Sequence, residues 1–241
     1  LAVCAAQFFM PFMVAGVNAV LPPLGESLGA SARELSLLGA VYTLGLVVFQ
    51  LAGEALTGSV ILYAVYGGLM AALFEETGRY IAMRFLVKPM DFPNAFMYGA
   101  GHGGVEAMLL CGVASINNIA SAVMINSGTM SAQLATLDAE KVADTAAALS
   151  ALWTTPSLTF FAGGVERIIA VVLHLSLSVL VFQSIRKKSQ KDLLNAYLFH
   201  FVIDSLSVLL SAVASVWVVE LVVALVTGGA VLMARYACME E

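Results

Sequence analysis

Four stretches of the chain carry side chains able to do acid, base or metal chemistry. Glu75, Glu76 and Arg79 lie together in Leu73-Phe74-Glu75-Glu76-Thr77-Gly78-Arg79-Tyr80, and His102 and Glu106 in Tyr98-Gly99-Ala100-Gly101-His102-Gly103-Gly104-Val105-Glu106. His174 follows the pair Glu166-Arg167, and His200 and Asp204 close the set in His200-Phe201-Val202-Ile203-Asp204. These are all three histidines of the protein, and each stands in an otherwise apolar run. Residues four apart share a helix face, so His102 with Glu106, His200 with Asp204, and Glu75 with Arg79 are expected to be neighbours. A carboxylate one turn from a histidine can accept its second N–H and fix its tautomer, or join it as a ligand. Glu75 and Glu76 point about 100° apart, so Arg79 is expected to hold one while the other faces the site. The spacing does not say which.

Absent motifs narrow the chemistry. There is no HExxH for zinc on one helix, no second aspartate within a span for a two-aspartate protease, and no serine in a GxSxG context. What remains is hydrolysis by a glutamate-activated water, with or without a metal held by histidines from separate helices. Three histidines (His102, His174 and His200) with carboxylates suit Zn2+, whose open fourth position would carry the water.

The elements that must position these groups are membrane helices. Of 241 residues, 61% are hydrophobic and 11% charged, against about 25% charged in ordinary soluble domains. The expected fold is all-α, a polytopic membrane protein of about seven transmembrane helices around a buried polar site, in one domain over 1–241. Apolar runs place the spans near 2–21, 35–52, 58–83, 94–116, 157–183, 193–214 and 216–236. The stretch 117–156 opens with Asn117 and Asn118 and holds Asp138, Glu140, Lys141 and Asp144, which predicts an outer loop with a short amphipathic helix near 131–150.

Basic residues follow the third span (Arg84, Lys88) and the fifth (Arg186, Lys187, Lys188, Lys191), so both loops and the C-terminus are expected on the cytoplasmic side. That makes the protein an expected multi-pass component of a cell membrane. Its partners would be the lipid bilayer and a membrane peptide or protein. A net charge of −5 with scattered basic residues leaves no patch for nucleic acid. The first apolar run has no basic n-region, which argues against a signal peptide. The numbering opens at Leu1 rather than Met, leaving room for residues upstream.

Depth links the four stretches. Counted from the basic markers, Glu76, His174 and His200 sit nine to twelve residues in, roughly 14–18 Å at helical rise, and His102 lies at a similar depth. A titratable residue inside a span costs about 2.5–3.5 kcal/mol on insertion scales, so a shared level argues for one site. Glu166-Arg167, a further two turns out, reads as a structural ion pair or a clamp. Glu54 and Glu220 fall near outer span ends, where solvation suffices. The glycines at 99, 101, 103 and 104, with Gly67-Gly68, Gly163-Gly164 and Gly228-Gly229, read as close helix approaches.

Taken in order, these motifs resemble the YhfC family of bacterial membrane peptidases. The resemblance rests on Leu69-Met70-Ala71-Ala72 running into Leu73–Tyr80, on Tyr98–Ala107, Ile116-Asn117-Asn118, Gly164-Val165-Glu166-Arg167 with His174, and His200–Asp204, and covers about residues 36–236. That family is similar in motif plan to CAAX prenyl proteases and PrsW-like proteases, with a Glu-Glu pair followed by Arg, an aromatic four before a His, and His-xxx-Asn or Asp. The resemblance implies an intramembrane peptidase of glutamic or metallo type. It implies a general base in Glu75 or Glu76 anchored by Arg79, and His102 and His200 orienting water, stabilising the oxyanion or binding metal. Arg79 follows the pair by three residues rather than four, Tyr98 replaces Phe, and Asp204 stands where the prenyl proteases have Asn. His174 and Glu106 have no counterpart in that pattern, so the mechanism does not transfer unchanged. The competing readings are a proton-coupled transporter, which also needs titratable groups near mid-membrane, and a non-catalytic membrane scaffold, which would gain nothing from costly buried charges.

Overall fold

A computed structural model describes residues 58–239, and the predicted spans near 2–21 and 35–52, with Glu54, lie outside them. By contacts the chain divides into Leu1–Tyr63 and Ala64–Glu241; the second unit contains every candidate site residue and is the subject below. The described elements are all helical: α1 Val60–Ile81, continued as a π-helical stretch to Leu86; α2 Phe92–Ala107, continued through a π-helical Met108–Gly112 into α3 Val113–Asn126; α4 Met130–Leu134; α5 Ala139–Thr154; α6 Ser157–Lys187; α7 Gln190–Ser211; and α8 Val216–Met239.

Among the described residues, five helical stretches are long and apolar enough to cross a membrane: Val60–Leu86, Phe92–Asn126, Ser157–Lys187, Gln190–Ser211 and Val216–Met239. The protein is an all-α, polytopic membrane protein. Helices are the expected solution, because in hydrocarbon every backbone polar group must be satisfied within its own segment. The exposed Leu73, Phe74, Phe85, Ile168, Leu221 and Leu225 then face lipid rather than water.

One boundary differs from the sequence reading. Residues 117–126 are not loop; they continue the helix of the predicted span 94–116, which runs 35 residues from Phe92 to Asn126. Asn117 and Asn118 are poor helix formers, but Ile116, Ile119 and Val123 around them stay exposed on an apolar helix, and its internal hydrogen bonds outweigh the weak propensity. At about 1.5 Å per residue this stretch exceeds the roughly 30 Å hydrocarbon layer. The expected helix near 131–150 is divided into α4 and α5.

Local chemistry fixes the other ends. Asp91 caps α2 by accepting from Asn94 N at 3.0 Å, with Pro93 in the first turn. Lys188, in the left-handed region at φ 56°, ends α6, and the Ser189 hydroxyl then caps α7 by accepting from Asp192 N at 3.2 Å. This two-residue turn makes α6 and α7 antiparallel neighbours.

Helix α6 is the axis of the unit and packs against α2, α7 and α8. Its segment Leu173–Ser184 is buried except for Leu175, in an arc where apolar Leu177, Leu180 and Val181 alternate with His174, Ser178 and Gln183. Glycine brings α2 onto this arc. A Cβ at Gly99 would lie 2.8–2.9 Å from Ser178 Oγ, His174 O and Leu175 Cα, and one at Gly103 3.1 Å from His174 Cβ and Val171 Cα. Among the described residues, nothing stands where a Cβ would lie at Gly101 and Gly104, nor at Gly67, Gly163, Gly164 and Gly228, so the described helices give no close approach at those six. Gly68 does meet α7, at Phe201 O and Ser205 N, both 2.9 Å away. Gly99→Ala should therefore lower stability by about 1–3 kcal/mol through overpacking, while Gly101→Ala, on the open face, should be neutral or gain up to about 1 kcal/mol from helix propensity. Thermal unfolding of the two variants in detergent checks this.

Candidate active site

The close approach of α2 to α6 decides what His102 and His174 can touch. Their rings stack with centroids 4.7 Å apart, and the His200 ring, from α7, stands edge-on to His174 at 5.7 Å. The three histidines that the sequence places at one depth thus form a contiguous cluster.

Beneath them lies a dry floor. Arg79 and Glu76 are both 0% exposed, and His174 and His200 are 3% exposed. Arg79 donates Nε to Glu76 Oε2 (3.0 Å), Nη2 to Glu76 Oε1 (3.1 Å) and to His174 Nδ1 (2.8 Å), and Nη1 to Ser178 Oγ (2.6 Å) and His174 O (3.2 Å). A guanidinium has five N–H donors, and all five are used. Glu76 also takes a contact from His200 Nδ1 at 2.7 Å. The carboxylate that Arg79 holds is therefore Glu76, three residues away, and not Glu75, four away; both spacings share a helix face. Without these partners a buried charge would be far too costly.

Above the floor stands a more accessible layer. Glu75 has 35% of its side chain exposed, Asp204 36%, Glu106 28% and His102 23%. Glu75 Oε2 is 3.0 Å from His102 Nε2 and 3.8 Å from His200 Nε2, and Asp204 Oδ2 is 3.5 Å from His200 Nε2, so that expected pair forms at the edge of ion-pair range. His102 and Glu106 do not pair with each other. His102 turns to Glu75 on α1, and Glu106 turns to α6, where His174 Nε2 is 2.5 Å from its Oε2 and Arg167 Nη1 donates to its Oε1 at 3.0 Å. Arg167 Nη2 donates to Glu166. Glu166-Arg167 is thus more than an isolated ion pair, because it reaches the site through Glu106.

Two groups escaped the sequence reading. Ser178, one turn from His174, completes the shell of Arg79, and only the i, i+4 spacing on α6 could have suggested it. Glu220 was assigned to solvent, yet it is 7% exposed and its Oε2 has no hydrogen-bond partner among the described residues.

One grouping suits a metal ion. Single ligand atoms of Glu75, His102, Glu106 and His174 all lie within 4.8 Å of one another, and His200 falls outside this set. Imidazole nitrogen and carboxylate oxygen are the donor types of catalytic zinc. Glu106 Oε2 adds an independent observation. It is buried and lacks an aligned hydrogen bond even with His174 Nε2 alongside, so it has a lone pair to spare.

Comparison with known proteins gives the same context. The family model described as YhfC intramembrane metalloprotease matches residues 33–223. A Bacillus subtilis (strain 168) protein described as an uncharacterized membrane protein YhfC is 36% identical over 191 residues, covering 78% of this chain and 73% of that protein. No solved structure matches.

Proposed function

Since the chain belongs to the YhfC intramembrane metalloprotease family, we propose that it is an intramembrane peptidase in which Glu75 activates water against a peptide bond of a membrane-associated substrate. The observation that carries this is the division of labour between adjacent glutamates. Glu76 has no exposed surface, and its oxygens are taken by Arg79 and His200. Glu75 is about one-third exposed, and among the described residues its polar contacts run through Oε2, which leaves Oε1 to take a proton.

In the reaction Glu75 accepts a proton from water, whose oxygen bonds to the peptide carbonyl carbon. The C–N bond then breaks, and the proton passes from Glu75 to the leaving nitrogen, giving a carboxylic acid and an amine, which exchange a proton to become carboxylate and ammonium. His102 holds Glu75 in place from α2, and Glu76 and Arg79 hold His200 and His174 beneath. A divalent cation would be anchored by His102 and Glu106, one helical turn apart on α2 and opposite Glu75. Bound there, zinc or a similar ion would polarise the carbonyl and make water more acidic.

Orientation follows from the basic loops. Tyr80 and Arg84 at the end of α1 line one cleft with Ser184, Lys188 and Ser189 at the α6–α7 turn, so the two clusters share an end of the unit. By the positive-inside bias that end and α8's last turn lie in the cytoplasm in this reading, and the membrane assigned to the chain is the bacterial inner membrane, in keeping with a relative from Bacillus subtilis.

The test is a comparison of peptide termini. Membranes carrying the wild-type chain or Glu75→Gln, at matched abundance, are analysed by mass spectrometry of protein termini. New termini in or beside transmembrane segments, present with wild type and absent with the variant, are the expected result. Identical termini would contradict the proposal.

A further inference from the structure

Arg79 does more than neutralise Glu76; it also sets which nitrogen carries the hydrogen in two histidines. A guanidinium has donors and no acceptor. His174 Nδ1, 2.8 Å from Arg79 Nη2, must therefore present its lone pair, which leaves the ring hydrogen on Nε2. Glu76 is an ionised acceptor in a two-point bond with the same guanidinium. His200 Nδ1, 2.7 Å from Glu76 Oε1, must then be the donor, leaving Nε2 as the atom turned toward Asp204 and Glu75. The two rings are held in opposite senses from one arginine.

We infer that His174 is a positioning residue that presents an N–H to Glu106, and is not a cation ligand. Its Nε2 lies 2.5 Å from Glu106 Oε2, close but off the hydrogen-bond line, so the N–H borders Glu106 while a lone pair of Oε2 stays open, and Arg167 holds Oε1 from the other side at 3.0 Å. Proximity alone places His174 among four donors within 4.8 Å, but a nitrogen bearing hydrogen has no lone pair for a metal. Freeing Nε2 would require Arg79 to give up one of its five bonds or the ring to leave its packed place beside Gly103. His102 Nε2 also faces a carboxylate, Glu75 Oε2 at 3.0 Å, but its Nδ1 has no hydrogen-bond partner among the described residues, so the ring hydrogen can move there and free Nε2. The cation is thereby assigned to His102 and Glu106, with Glu75 opposite, and His174 and Arg167 aim Glu106 as outer partners do in metal sites.

The functional meaning rests on the peptidase reading, but the test needs neither substrate nor turnover. The full chain, labelled with 15N-histidine and purified in detergent micelles, yields signals from only three histidine rings. Correlation spectra of the metal-free protein should show His174 with hydrogen on Nε2 and a pyridine-like Nδ1. The His174 ring is identified by its loss in His174→Gln or, if that variant does not fold, by elimination with His102→Gln and His200→Gln. Titration with Zn2+ should move the His102 signals and leave His174 in the same tautomer. Zinc affinity should fall by more than about 100-fold in His102→Gln and about 10-fold in His174→Ala, and return to near wild type in His174→Gln, whose amide N–H can replace the donor. A His174 ring with hydrogen on Nδ1, or equal loss of zinc in His174→Gln and His102→Gln, would overturn the inference and leave the peptidase reading standing. Failure of the wild type to bind zinc would count against the metal in that reading, and the metal-free spectrum would still decide this one.

Discussion

Glu75→Gln should lower peptide cleavage by about 10²–10⁴-fold, the contribution of a positioned general base, with no comparable loss of stability. Gln has nearly the same shape and still offers an oxygen to His102, and the position is partly exposed, so a buried charge is neither created nor stranded. Glu76→Gln should behave differently. It removes the negative charge and turns one of two acceptor oxygens into an NH2 donor, in a fully buried group that takes bonds from Arg79 at 3.0 and 3.1 Å and a 2.7 Å contact from His200. A guanidinium would be left half-paired in a dry core, so the main effect should be on unfolding temperature, with activity lost as a consequence. Parallel measurement of cleavage and thermal unfolding for the two variants separates the roles. Full activity in both single variants and in the double variant would refute the assignment.

Arg79→Met should be the most destabilising single change, by about 3–5 kcal/mol, because it strands the Glu76 carboxylate without a counter-charge. It also withdraws donors from His174 Nδ1, His174 O and Ser178 Oγ, on the helix that forms the axis of the unit. The pair Arg79→Met with Glu76→Met should recover much of that loss, since replacing a buried ion pair by apolar groups of similar volume is often neutral or better. Unfolding of the three variants in the same detergent gives the comparison. A single variant as stable as wild type would mean the network holds nothing together.

The sequence carried much of this because membrane burial makes polar residues conspicuous. In a soluble protein, Glu75, Glu76, His102, His174 and His200 would be lost among dozens of surface charges; in spans they stand out at once, and helical rise puts them at one level. Pairing was less legible. Spacing along one helix suggested His102 with Glu106 and Glu75 with Arg79, but each side chain found its partner by the approach of another helix or by the alternative i, i+3 spacing. That approach depends on Gly99 and Gly103, which look no different in sequence from Gly101 and Gly104, although only the former pair faces α6. Composition also ended the helix of the predicted span 94–116 too early, since an Asn-Asn pair reads as a break while an apolar helix tolerates it.

The central claim is a cation anchored on α2 opposite a glutamate base, and the metal content of the purified protein tests it most directly. Wild type prepared in detergent without chelator, measured by inductively coupled plasma mass spectrometry, should hold about one divalent ion per chain, as a single catalytic site would. His102→Ala and Glu106→Gln should hold almost none, with the exposed Trp153→Ala unchanged as a control. Metal-free wild type, or the same metal content in all four proteins, would contradict the account.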